Sequence, residues 1–296
     1  MAELPVVLLP VGVDDDALDA CLAALDRATP AGTRAWLTDD AQAGPRGLAI
    51  IERWLADTPL QADYTRRDRR VGEVAHLDEA LRACGDADVV VLAADAIPLP
   101  GWLTALSACA AGDASIGTAT PWCNAGEAAA WPRCGDIAPV PGAHDGADPR
   151  RLAHAAAAMP PVHPEIPAAV DHAVFLRGSA RGKAGGLDAS SYASWYAALI
   201  DLSLRLSGLG WRNALCATAF VARGGEGGPK EGDLEALATR WPTWHARLAT
   251  FLMEDPLRET RNLLSLQLAG QEGPRPQQEL FPPRDEDAPG RKAGAG

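Results

Sequence analysis

Positive charge is scarce in this sequence of 296 residues. Its 27 Lys and Arg stand against 39 Asp and Glu, which gives a formal net charge of -12. Nucleic-acid binding relies on clustered positive groups that neutralise phosphates, so this balance argues against a nucleic-acid partner. The densest basic run, RRDRR at residues 66–70, is typical of a solvated loop. The alternative is a local contact with an anion or a partner.

Long apolar runs and paired cysteines are also missing. No apolar stretch reaches the roughly 18–20 residues of a membrane span, which leaves peripheral membrane contact open. The six cysteines form no C-x-x-C pair and have no zinc-site spacing. Since no secretory signal precedes the first apolar run, we expect reduced, mostly buried thiols in a cytoplasmic protein.

Several common catalytic motifs are absent as well. The turn after the first apolar run reads PVGVDDD, which is not a dinucleotide-binding fingerprint. The chain has no Walker-type phosphate loop, no G-x-S-x-G elbow and no H-E-x-x-H pair. These absences argue against the usual dehydrogenases, NTPases, hydrolases and zinc proteases.

What the sequence does contain is a regular alternation of strand-like and helix-like segments. LPVVLLPV, RAWLTDDA, ADVVVLAAD and SIGTATPW are typical of buried strands, and the stretches between them have helical apolar spacing. We also expect a short strand near residues 60–65. The alternation predicts an α/β fold, a mostly parallel sheet with helices on both faces.

The second half of the chain has a looser organisation. Residues 124–165 form a long excursion with one helix near 149–158, followed by the strand AAVDHAVFLRG. The helix SSYASWYAALIDLSLRLSGLG comes next, and WRNALCATAFVARGG is a closing strand or pair of strands. Residues 232–270 are predicted to be helical, with breaks at Pro242 and Pro256. The predicted organisation is a domain at 1–228, a helical extension at 229–270 and a disordered tail at 271–296.

The predicted parallel strands end at residues that could line a ligand site, and three of these residues are acids. Pro10 and Val11 follow the first strand, Asp39 and Asp40 the second, and Asp95 the fourth. Ligands of open α/β sheets lie beyond the carboxyl ends of the strands. We therefore expect these residues to face one crevice. Local turn or cap contacts are the alternative for the three acids.

The order of these segments carries a family resemblance. The first strand ends LLPV, the second LTDDA and the fourth LAADAIPLPGWL, and a later helix leads through GWR to VARGG. In order and spacing these segments resemble the family 2 glycosyltransferases, which have the GT-A fold. The resemblance covers about residues 4–228.

The resemblance implies an inverting transfer of a sugar from a nucleotide-sugar donor to a glycan or lipid-linked glycan, as in surface-polysaccharide assembly. It also implies a divalent cation, Mg²⁺ or Mn²⁺, that neutralises the leaving diphosphate. An Asp or Glu would deprotonate the acceptor hydroxyl. Peripheral contact with the inner membrane face, or with a partner transferase, is compatible with that role.

The resemblance assigns donor binding mainly to the strand ends. Pro10 and Val11 match the loop that touches the nucleoside, and Asp39 matches the acid that contacts the base or ribose. Asp95 matches the last acid of the metal motif, so the resemblance makes it the metal ligand. The predicted donor-binding residues are Pro10, Val11, Asp39, Asp40, Asp78, Asp95 and Arg223.

Three positions depart from the family pattern. Ala93 stands at the first acid of the metal motif, Leu199 at the catalytic acid and Arg223 at the metal-binding histidine. These departures favour altered or absent catalysis. Arg223 would offer a diphosphate a fixed positive charge, although a surface arginine is the simpler interpretation.

Asp201 and His172 remain as candidate catalytic residues. Asp201 matches a later acid of the helix motif, but an i, i+4 pair with Arg205 is the simpler interpretation. His172 lies beside an apolar strand, where a lone histidine is more often structural than a substitute base. Two other functions stay open: a non-catalytic GT-A-like module that binds a nucleotide, a glycan or a partner transferase, and a metal-independent transferase that uses Arg223 and His172.

Overall fold

A computed structural model describes residues 4–135, 137–142, 146–225 and 227–271. The predicted tail at 271–296 lies outside these ranges apart from Gln271. The strands are β1 (Val6–Pro10), β2 (Arg34–Asp39), β3 (Gln61–Arg66), β4 (Val89–Leu92), β5 (Ala96–Pro98), β6 (Ile116–Trp122), β7 (Ala173–Leu176) and β8 (Arg212–Arg223). The helices are α1 (Asp15–Ala28), α2 (Pro45–Asp57), α3 (Glu73–Ala83), α4 (Trp102–Gly112), α5 (Pro149–Ala157), α6 (Gly178–Ala184), α7 (Trp195–Gly208), α8 (Asp233–Arg240), α9 (Trp244–Glu254) and α10 (Arg258–Gly270).

The eight strands form one mixed sheet in the order β3-β2-β1-β4-β7-β6-β8-β5. In the described part of the chain, four of its seven strand pairs are parallel, and the antiparallel pairs all involve β7 or β5. The predicted α/β fold with a mostly parallel sheet is therefore confirmed. The parallel block β3-β2-β1-β4 directs four carboxyl ends to the same edge.

The continuous apolar run of β1 follows from its burial on both faces. Val7 and Leu9 lie in the hydrophobic cluster on one side of the sheet, and Leu8 lies in the cluster on the other. The next helix, α1, begins after Asp14, because the Asp14 carboxylate accepts hydrogen bonds from two backbone N–H groups of its first turn.

Three hydrophobic clusters hold the sheet between its helices. The first packs β1, β2 and β4 against α1, α2 and α4, and the second packs the opposite face against α3 and α7. The third lies at the β6–β8 end and contains residues of α5 and α10. The C-terminal helices contribute to these clusters through Leu237, Trp244, Leu257 and Leu264.

The breaks predicted at Pro242 and Pro256 are confirmed, since they separate α8, α9 and α10. None of the helices in the described ranges is both long and apolar enough to cross a bilayer.

Two elements, β5 and α6, were not predicted. β5 has only three residues and pairs with the distant strand β8, with Ala96 opposite Arg223. A contact between residues so far apart in sequence leaves no trace in local periodicity. This small pairing positions the site described below, because Asp95 directly precedes β5.

Two leucines, one in the N-terminal half of α7 and one directly after its last residue, provide a test of the packing. Leu199 is fully buried, whereas Leu209 is 55% exposed. We expect Leu199→Ala to lower the free energy of unfolding by about 2–5 kcal/mol, because it leaves a cavity in the core. Leu209→Ala should change it by less than about 0.5 kcal/mol. Denaturant titration of both variants measures this difference, and equal effects would contradict the packing.

Candidate functional site

A cleft of about 570 Å³ opens at the carboxyl ends of β1, β2 and β4. Pro10, Val11, Asp40 and Asp95 line it, as the strand-end pattern predicts. We call this cavity the main cleft. Its lining also includes Arg223, at the end of β8, so the main cleft spans both halves of the sheet.

Asp95, Arg223 and Asp171 form an ion-pair cluster in the main cleft. The Arg223 Nε atom donates to both oxygens of Asp95, at 3.2 and 2.9 Å, and its Nη1 atom donates to Oδ1 of Asp171 at 2.8 Å. The Arg223 side chain is only 11% exposed. We call this cluster the arginine bridge. It makes Arg223 an interior residue, so the surface-arginine interpretation is wrong.

Several backbone features hold the arginine bridge in place. The Asn124 side chain accepts a hydrogen bond from the Arg223 N–H at 2.7 Å and donates to its carbonyl at 3.1 Å. A side chain at Gly227 would collide with Asp171 Oδ2 and Arg223 Nη1. The loop after β8 thus needs glycine to pack directly on the bridge.

The charges of the arginine bridge are set by burial and by one another. Burial raises the pKa of the Asp171 carboxyl, and the facing Arg223 opposes that rise. Burial also acts against the charge of Arg223, but Asp171 and Asp95 outweigh it and raise the arginine's pKa. The guanidinium is therefore a permanent positive charge at this end of the main cleft.

The residues at Asp95 do not fit a divalent cation while Arg223 occupies this position. Both Asp95 oxygens accept from Arg223, Oδ2 also accepts from the Gly225 N–H at 3.2 Å, and the neighbouring Ala93 offers no ligand atom. A cation at Asp95 requires oxygen ligands that the guanidinium has already engaged. The metal role of Asp95 stays a prediction, and it requires the guanidinium to leave these oxygens.

Asp39 does not line the main cleft, contrary to the prediction. Its carboxylate is fully buried, where it accepts from the Gln42 N–H at 2.6 Å and from the Tyr64 hydroxyl at 2.8 Å. Arg66 lies 3.4 Å from the same carboxylate. Asp39 thus fixes the turn after β2, as the local-turn alternative states, and its neighbour Asp40 lines the cleft instead.

Asp78 and Asp201 also lie away from the main cleft. Asp78, on α3, accepts a hydrogen bond from the Leu187 N–H at 2.6 Å and pairs with Arg82 at 2.7 Å. These partners give its carboxylate a structural role. Asp201 is fully buried and pairs with Arg205 at 2.8 Å, as the simpler interpretation states. Neither carboxylate is placed to act on a ligand in the cleft.

His172 is a poor candidate base. The residue is fully buried, and the main-cleft lining does not include it. Burial, together with the charge of Arg223, lowers the pKa of the imidazole to about 3. The ring is thus neutral and weakly basic near pH 7, which favours the structural interpretation, and its catalytic role stays a prediction.

Sequence reasoning missed several residues of the main cleft. Arg70, from the basic run, lines it directly, and Arg67 of the same run donates to His76 Nδ1 at 3.0 Å. Lys230 lies at the cleft and pairs with Glu73. The solvated-loop interpretation therefore describes only part of the basic run. No motif marks these positions, because several segments bring them together only in three dimensions.

A second cluster combines Cys109, His163 and Cys216, whose ligand atoms all lie within 4.8 Å of one another. The hydrogen bond with Cys216 and burial raise the pKa of the Cys109 thiol. The three residues come from separate segments, so cysteine spacing gave no sign of them. They do not line the main cleft, and the described residues add no fourth metal ligand.

The sequence matches no protein-family model and no curated protein. Solved structures with a similar fold include a mannosyltransferase of Pyrobaculum calidifontis in complex with GDP-Man and Mn²⁺. It has 15% sequence identity and a TM-score of 0.55, with 93% of this chain and 78% of that chain covered.

Two further similar structures have the same general architecture. GalNAc-T7 with UDP, GalNAc and Mn²⁺ has 12% identity and a TM-score of 0.59, with 90% of this chain and 55% of that chain covered. Residues 1–349 of S. aureus TarS, in complex with UDP-GlcNAc, have 11% identity and a TM-score of 0.54, with 89% and 71% covered. The chain therefore has a GT-A-like glycosyltransferase fold, as predicted.

The arginine bridge predicts a pH-dependent loss of stability in Arg223→Met. When folding raises the pKa of a carboxyl, the free energy of unfolding of the protein falls as pH rises through that pKa. Arg223 limits this fall because its charge lowers the pKa of Asp171. We expect the variant to lose about 3 kcal/mol of unfolding free energy at pH 7.5 and clearly less at pH 4.5. Denaturant titration at both values, with the exposed Arg53→Met as control, measures this. A loss independent of pH would contradict it.

Proposed function

We propose that the chain is a glycosyltransferase that binds a nucleotide-sugar donor in the main cleft. The observation that carries this proposal is the arginine bridge, a fixed cation at the strand ends of a GT-A-like sheet. The similar structures hold GDP-Man, UDP or UDP-GlcNAc, which supports a nucleoside diphosphate as the ligand class. The sugar is transferred with inversion to a hydroxyl of a glycan or lipid-linked glycan, in the cytoplasm or at the membrane face.

The diphosphate end of the donor faces Arg223 in this proposal. The Nη2 atom of Arg223 makes no hydrogen bond within the described residues, whereas Nε and Nη1 are engaged by carboxylates. Its N–H groups are therefore available to a phosphate oxygen. Lys230 and Arg70 line the same cleft and add positive charge.

The nucleoside end of the donor faces the β2 and α3 side. Thr38 Oγ1, Gln42 Oε1 and His76 Nε2 belong to cleft-lining residues, are buried and have no hydrogen-bond partner within the described ranges. A buried polar atom without a partner costs about 1–3 kcal/mol, so a polar ligand accounts for such a group. Because His76 Nδ1 accepts from Arg67, its Nε2 carries the proton and donates to an oxygen or nitrogen of the nucleoside.

The leaving diphosphate gains negative charge as the bond from the anomeric carbon to the phosphate oxygen breaks. A divalent cation stabilises this charge in many transferases, and two of the similar structures hold Mn²⁺. Here the guanidinium of Arg223 supplies the positive charge without rearrangement at the moment of reaction. The proposal therefore replaces the predicted Mg²⁺ or Mn²⁺ at Asp95 by Arg223.

A binding module without catalysis is the second candidate. The resemblance places the catalytic acid at the position of Leu199. This residue belongs to α7, and its side chain is fully buried in the core. A donor cleft without a base would bind nucleotide sugars and leave them intact. Release of nucleoside diphosphate from the donor distinguishes the two candidates.

Calorimetric titration of UDP and GDP, each with Mn²⁺ and with EDTA, tests the donor site. We expect at least one nucleotide to bind with an affinity that EDTA changes less than threefold. Arg223→Met should weaken that binding tenfold or more, about 1.4 kcal/mol, because the phosphate loses its charged partner.

The controls separate a lost contact from a lost fold. Lys230→Met removes a half-exposed charge at the same cleft and should also weaken binding, whereas Arg53→Met, on the exposed face of α2, should not. Binding that requires Mn²⁺ and survives Arg223→Met would refute the role of the arginine. If neither nucleotide binds under either condition, the proposed function is wrong.

A further inference from the structure

A side chamber of about 230 Å³ adjoins the main cleft. The two cavities share Asp171, Tyr196, Arg223 and the glycines at 227 and 228. A molecule in the side chamber therefore lies against the same arginine bridge as a donor in the main cleft. This arrangement suits an acceptor, which has to approach the donor next to its leaving group.

Glu127 is the acid of the side chamber. It lies in the loop after β6, and its Oε1 atom accepts a hydrogen bond from the Tyr196 hydroxyl at 2.5 Å. Its Oε2 atom has no hydrogen-bond partner in the part of the chain that the structure describes. Tyr196, at the start of α7, lines both cavities, so it ties the acid to their junction.

We propose that Glu127 is the general base of the transfer reaction, a role that rests on the proposed function. Glu127 Oε2 takes the proton of the acceptor hydroxyl as that oxygen bonds to the anomeric carbon of the donor. The bond from this carbon to the β-phosphate oxygen breaks, and its electron pair leaves with the diphosphate. The products are the glycosylated acceptor, the nucleoside diphosphate and a protonated Glu127.

The surroundings of Glu127 suit this role. Burial raises the pKa of its carboxyl, the Tyr196 hydrogen bond lowers it, Asp171 raises it and His245 lowers it. The net direction is upward, which makes the carboxylate a stronger base than a solvent-exposed glutamate. The proton acceptor is thus kept partly out of water beside the cleft that holds the leaving group.

Glu127 also supplies an acid near the position of Leu199, where the resemblance places the catalytic acid. Tyr196 stands one helical turn before Leu199, so the loop after β6 brings its carboxylate to the N-terminal end of the same helix. The acid therefore comes from a different segment and serves the same region. A purely structural role, in which Glu127 only fixes the loop to Tyr196, is the alternative that an experiment has to separate.

The test measures nucleoside diphosphate released from UDP-GlcNAc and GDP-mannose, with water as the acceptor. Glu127→Gln keeps the shape and can still accept from Tyr196, but it cannot take a proton. We expect its kcat to fall about 100-fold or more, while the dissociation constant of the donor changes less than twofold. Glu52→Gln, on the exposed face of α2, is the matched control and should behave like the wild type.

Tyr196→Phe adds a readout that a structural role would not move. It removes the hydrogen bond that lowers the pKa of Glu127 and leaves the carboxylate in place. The acidic limb of the kcat–pH profile should therefore shift to higher pH, and it should disappear in Glu127→Gln.

Three outcomes are distinguishable. Release by the wild type and Glu52→Gln, with loss in Glu127→Gln at unchanged donor affinity and the shifted limb in Tyr196→Phe, supports the proposal. Equal release by wild type and Glu127→Gln overturns the role of Glu127 and leaves the proposed function intact. Release by none of the proteins, including the wild type, overturns the transferase proposal and this inference with it.

Discussion

The pairing of Arg223 with Asp95 and Asp171 is the interaction on which the site depends. It joins the turn before β5, the segment before β7 and the end of β8, which are distant in sequence. Taking charges out of water costs several kcal/mol per ion, so each of these side chains is tolerated only because the others are present. The β5–β8 pairing, the Asn124 contacts and the close approach of Gly227 all serve to keep the guanidinium between the two carboxylates.

The arginine bridge also limits what the main cleft can bind. The arginine bridge consists of two carboxylates and one guanidinium, so its net charge is one negative charge when all three are ionised. Arg223 alone therefore does not make the cleft attractive to a diphosphate. Lys230 and Arg70, which line the same cleft, add the positive charge that such a ligand needs. Because Asp14, Asp40 and Glu73 also line the cleft, its five carboxylates outnumber its three basic side chains by two. A diphosphate would therefore depend on direct contacts with Arg70, Arg223 and Lys230.

The sequence predicted the sheet and the crevice but only part of the site. Strand ends were predictable, because buried parallel strands carry continuous apolar runs and their carboxyl ends meet at one edge. The role of Asp39 was not predictable, because an acid at a strand end can accept hydrogen bonds from a turn as readily as from a ligand. The contact with the Tyr64 hydroxyl shows that Asp39 has the structural role here. Asp171 and Glu127 escaped notice because their partners, Arg223 and Tyr196, are far away in the chain.

Two of the three departures from the pattern that the resemblance gives, those at Leu199 and Arg223, have a common physical basis. A transferase site needs positive charge at the leaving group and a base at the acceptor, but neither need specifies which segment supplies the group. In this chain Arg223 stands where the resemblance places a metal-binding histidine, and its guanidinium engages the acid expected to hold the cation. Glu127 faces the start of α7 from another loop, where Leu199 has joined the core. In the proposed mechanism, Arg223 supplies the positive charge and Glu127 the proton acceptor, and both lie at the junction of the main cleft and the side chamber.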